Sequence, residues 1–144
     1  MAAEKWLRLA LGTALLLAVV SSIGLFNTWR WYQSLPWEIM AGPLPMSFWV
    51  SPATSLLQLV GSLIVLFGAA WGRASTGRKR VCIGLALLIA VSLGSWAHRI
   101  FVSGDELPLA AHVLRAAITG WLGLLLFRLS ANNSLKRTDQ SLRD

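Results

Sequence analysis

The chain has 144 residues, of which 56% are hydrophobic and only 13% charged, with a formal net charge of +7 and a single cysteine. Soluble domains carry about 25% charged residues, so the composition argues against a water-soluble fold, and the length bounds the chain to one domain. Cys82 has no second cysteine to pair with, which excludes internal disulfides, CxxC relays and cysteine-held metals.

The apolar residues come in long blocks. Crossing about 30 Å of hydrocarbon takes roughly 20 of them as a helix, whereas a transmembrane barrel would alternate with a period of two. The expected fold is an all-α integral membrane protein: a four-helix transmembrane bundle over residues 1–130, followed by a polar, disordered tail over 131–144. The expected spans are Trp6–Phe26, Phe48–Trp71, Val81–Phe101 and Leu107–Leu129.

The first span follows Lys5 and Arg8. A cleavable signal peptide would use the same basic start, the apolar run Leu9–Val20 and a small-x-small site at Ser22-Ile23-Gly24. The apolar run instead continues through Leu25 and Phe26 to Trp29 and Trp31, as a span does where it meets the headgroup layer. The loop "NTWRWYQSLPWEIMAGPLPMS" is aromatic and proline-rich. It reads as an interfacial linker, with a lid over an interhelical cavity as the sharper alternative.

The second span opens with Pro52 in its first turn, where a missing N–H matters least. It carries Gln58, Ser62 and the small residues Gly61 and Gly68. The run Arg78-Lys79-Arg80 then precedes the third span and fits a topology signal or a contact for anionic headgroups. Its segment "IGLALLIAV" resembles "LGTALLLAV" of the first span, the pattern a duplicated helix pair would leave. His98 and Arg99 close this span. Most tryptophans, Trp96 included, fall near span ends as interface anchors; Trp121 alone lies well inside one.

The fourth span raises the chemical question, because Arg115 lies about 10 Å below Pro108 at 1.5 Å per residue. A charged side chain within a span is costly, so Arg115 either snorkels to the interface or faces the bundle and pairs. His112, Arg115 and Thr119 share one helix face. Gln58 lies at a similar depth, and Asp105 and Glu106 sit in the turn above. The candidate site is therefore an outward-facing polar cluster of Gln58, His98, Arg99, Asp105, Glu106, His112 and Arg115. Its carboxylates and histidines could take a divalent cation or pass protons, and its arginines could hold an anionic group. Against this stands a purely packing role for the same residues. Ala116-Ala117, Gly120 and Gly123 would allow close helix approach.

Basic residues set the orientation. Lys5, Arg8, Arg73, Arg78, Lys79, Arg80, Arg128, Lys136, Arg137 and Arg143 fall on one side, and Arg30, Arg99 and Arg115 on the other. The positive-inside rule places both termini in the cytoplasm. The tail "ANNSLKRTDQSLRD" is similar to the translated ends of mobile bacterial gene cassettes, which implies a bacterial accessory gene and an inner-membrane location.

HExxH, HxxxH, GxSxG, GxGxxG and Walker patterns are absent, so neither a catalytic set nor a metal site is expected, and no cofactor. Basic residues at segment ends point to lipid headgroups, not nucleic acid. The expected activity is that of a small inner-membrane protein acting by helix packing or by binding a membrane partner or its own copy. The alternatives are a small transporter or channel subunit built on the Arg115 cluster, or an immunity protein against a pore-forming toxin. Small multidrug exporters also have four short spans, but the membrane-embedded glutamate of their first span has no counterpart here.

Overall fold

A computed structural model of the chain describes residues 2–44, 46–71, 74–103 and 108–141. Its elements are α1 (Ala2–Gln33), α2 (Trp37–Met40), α3 (Met46–Trp71), α4 (Ala74–His98), a π-helical turn (Arg99–Ser103) and α5 (Leu109–Ser141). Among the described residues there is no strand. Four helical stretches, Glu4–Gln33, Phe48–Ala70, Thr76–Val102 and Leu109–Ala131, are long and apolar enough to cross a membrane. Helices suit such sequences because each backbone N–H and C=O finds its partner within the segment.

The helices outrun the expected spans. α1 continues past Phe26 to Gln33, α4 begins at Ala74 instead of Val81, and α5 runs to Ser141. Hydropathy marks the apolar stretch, while the i to i−4 ladder carries on through polar residues. The described part of residues 131–144, expected as a disordered tail, is helical to Ser141. Pro52 is also displaced in role. With α3 starting at Met46 it lies inside the helix, beyond the first turn, where it forfeits one backbone hydrogen bond.

All neighbouring helices are antiparallel, and the contacts give their register. Trp31 stacks on Phe48 at 5.3 Å between α1 and α3. Ser92 and Thr119 share a hydrogen bond of 2.8 Å between α4 and α5. α5 returns to α1 through Trp121, whose Nε1 donates to Thr13 Oγ1 at 3.0 Å, and through Arg128, which lies 5.5 Å over the Trp6 ring. The bundle is thus a ring in the order α1, α3, α4, α5.

α3 and α4 approach most closely, and glycine makes that possible. A Cβ on Gly84 would stand 2.7 Å from Val65 Cγ2 and 2.9 Å from the Gly61 carbonyl oxygen. Gly61 in turn has Leu88 at 3.1 Å from where its Cβ would be. Gly120 and Gly123, expected to permit packing, have nothing within 4 Å. That expectation is corrected: they lie on an open face of α5.

The core is lopsided. Its buried apolar residues are Ala10, Ala14, Leu17, Val65, Val81, Leu85, Leu88, Leu122, Leu125 and Leu129. On each helix these lie at or between its middle and the end of the bundle that holds both termini. The opposite end, which carries the α1–α3 and α4–α5 connections, has no such plug. The two similar segments are not buried alike: Ala14 is buried while its counterpart Ala86 is exposed.

Candidate functional site

The unplugged end holds a cavity of about 390 Å³ between α3, α4, the π-helical turn and α5. α3 supplies Ser51, Thr54, Ser55 and Gln58, which at i, i+3, i+4 and i+7 form one polar stripe on a helix. α4 adds Ser92, Ser95 and His98. Arg99 enters from the π-helical turn, and Arg115 and Ile118 from α5. A π-helical turn slips the helix by a residue and is often found at functional sites; here it begins at Arg99, at the cavity's edge.

Four of the expected site residues, Gln58, His98, Arg99 and Arg115, therefore line one cavity. Arg115 faces the bundle. His112 takes a different part: its Nδ1 accepts a hydrogen bond of 2.9 Å from Trp96 Nε1, which ties α5 to α4 beside the cavity. His112 thus braces two helices and is not among the lining residues, and Trp96 makes a bond between helices. Asp105 and Glu106 lie outside the described residues. Sequence reasoning missed Ser51, Thr54, Ser55, Ser92 and Ser95; the helical period of the hydroxyls on α3 would have found the first three.

The hydroxyls divide into two groups. Thr54 Oγ1 donates to the Ser51 carbonyl at 2.9 Å, Ser95 Oγ to the Ser92 carbonyl at 3.0 Å, and Ser92 is engaged with Thr119. Ser51, Ser55, Gln58, Arg99 and Arg115 have no side-chain hydrogen bond or ion pair among the described residues. The cavity is therefore rich in unspent donors. Among the described residues no carboxylate lines it, and no group of His, Cys, Asp and Glu could hold a metal ion.

Two neighbouring features frame the site. A Cβ on Gly24 would lie 3.3 Å from Ser55 Oγ, so α1 closes on α3 at the cavity wall. A second hollow of about 410 Å³ is lined by Asn27, Thr28, Trp31, Phe48 and Ser51, and so shares Ser51 with the first. No residue of α2 lines either hollow.

No protein-family model, no curated protein and no solved structure matches this chain.

Proposed function

We propose that this chain is a small multi-pass membrane protein that binds an anion in the cavity facing the outside of the cell. One observation carries the reading: the guanidinium-bearing residues Arg99 and Arg115 line a single cavity, and among the described residues no carboxylate lines it. Two like charges in a site of reduced dielectric repel each other and attract an anion strongly. A cation is disfavoured for the same reason. The orientation follows from the positive-inside rule, with both termini and the Arg78-Lys79-Arg80 end of α4 cytoplasmic, in a bacterial inner membrane. The apolar plug at the terminal end favours binding over a continuous conducting path, so this reading keeps the polar site and sets aside a channel.

The test is thermal unfolding in detergent with and without added salts of different anions. Anions should raise the midpoint of the wild type and leave that of Arg115→Gln unmoved, since a ligand stabilises by about 2.7 kcal/mol at a hundred times its Kd. An equal rise in both proteins would sink the reading.

A second reading, association with a partner membrane protein or a second copy, is favoured by the thin packing of α5. Its apolar window is the least buried of the four, and its small residues Gly120 and Gly123 are open. Crosslinking in membranes through a cysteine introduced at Gly120 would detect such a neighbour, and uncrosslinked chain alone would dismiss it.

A further inference from the structure

We propose that the anion is a phosphoryl group, a tetrahedral oxyanion borne on a small ester or a lipid headgroup. This rests on the reading of the cavity as an anion site and names its ligand class.

The donor arrangement decides among anions. A planar carboxylate is served by one arginine fork. A halide offers no directional lone pairs for two forks and several hydroxyls. Here donors without a partner among the described residues come from three directions: Ser51, Ser55 and Gln58 on α3, Arg99 on the π-helical turn, and Arg115 on α5. Donors converging from three walls fit an oxyanion whose acceptor oxygens spread in three dimensions, and two guanidinium groups match a dianion in charge. The cavity volume of about 390 Å³ is at the lower end of small-ligand sites, about 300–1,000 Å³. That leaves room for a phosphate with a small organic group attached.

Two sources could bring this chemistry. The polar and cation–π contacts between α1 and α5, Thr13 with Trp121 and Trp6 with Arg128, lie in the plugged half of the bundle. At the other end Phe26, Val113 and Leu114 are all more than half exposed. A lipid phosphate could enter sideways there with its chains left in the bilayer. A soluble phosphate ester would enter from the aqueous end.

The experiment is equilibrium binding of radiolabelled inorganic phosphate to the full chain in phosphate-free detergent. Sulfate, acetate, chloride and short-chain phosphatidic acid serve as competitors. The variants are R99Q, R115Q, R115K and K79Q, the last at the far end of the bundle. The inference expects saturable binding displaced by sulfate and by phosphatidic acid, with acetate and chloride weaker by about tenfold or more. It expects loss of binding in R99Q and R115Q, weakening in R115K, which keeps the charge but not the fork, and no change in K79Q. R115K also guards against a merely misfolded variant, because a folded protein with reduced affinity still reports on the site. If phosphatidic acid binds at least about tenfold tighter than inorganic phosphate, the source is lipid; comparable affinities point to a soluble ester. If acetate or chloride competes as well as phosphate with the same arginine dependence, the anion site stands and the phosphoryl assignment falls. If nothing binds, or binding is lost in K79Q and kept in R115Q, both fall.

Discussion

At the residue scale, Arg115 shows how a costly side chain is accommodated. Insertion scales put an arginine at the centre of a membrane helix at about 2.5–3.5 kcal/mol. Its place in a polar cavity lowers that penalty without a protein counter-charge among the described residues. Replacing it should therefore not unfold the protein. Arg115→Leu is expected to match or exceed the wild-type melting midpoint when no anion is present, read by circular dichroism in detergent. A large drop would mean that Arg115 is a structural strut. The Trp96–His112 bond makes the opposite prediction. Hydrogen bonds between membrane helices are worth about 0.6–1.7 kcal/mol, so Trp96→Phe should destabilise the fold by that order. It should leave ligand affinity largely intact, because neither ring lines the cavity. Arg115, Arg99, His98 and Gln58 could be found from the sequence alone, since a polar residue in an apolar run announces itself. The pairing of His112 with Trp96 could not, because it depends on which residue of α4 faces α5.

At the element scale, hydropathy located the helices and misjudged their ends. The membrane selects for an apolar stretch, but the helix continues as long as its hydrogen-bond ladder does, to Gln33 for α1 and through the last described residue, Ser141, for α5. Close packing was likewise only half legible. Gly61 and Gly68 could be noticed as small residues in an apolar span, and a Cβ on Gly68 would stand 2.7 Å from Arg80 Cβ; the equally tight Gly84, 2.7 Å from Val65 Cγ2, is hidden within a Leu/Ala/Val string. Gly84→Ala should force α3 and α4 apart, since the obstructing atoms include the backbone of Gly61 and Val65. Overpacking of this kind costs about 1–3 kcal/mol, measurable as a lowered unfolding midpoint. Gly120→Ala meets no neighbour and should be neutral or stabilising by up to about 1 kcal/mol through helix propensity. If Gly84→Ala is harmless and Gly120→Ala is damaging, the assignment of tight and open faces is reversed.

At the scale of the whole molecule, an asymmetric bundle follows from where bulk and polarity fall along the chain. Leucine and valine fill the half near the termini, and serines, threonine, glutamine and arginines occupy the other half. The basic residues Lys5, Arg8, Arg78, Lys79, Arg80 and Arg128 cap the plugged end. With that end in the cytoplasm, as proposed, a fluorescent protein fused to the C-terminus should fluoresce, and alkaline phosphatase fused there should be inactive. Active phosphatase would invert the cavity. The ring order and the plug could not be foreseen from the sequence, because amphipathic signals are weak when both lipid and core are apolar.

The most direct measurement is anomalous diffraction from crystals soaked in selenate, a tetrahedral dianion whose selenium can be located by its own scattering. The account predicts a peak in the cavity within about 4 Å of both the Arg99 and Arg115 guanidinium groups, as charge-assisted hydrogen bonds require. An empty cavity, with selenate bound only at the basic terminal end, would contradict it.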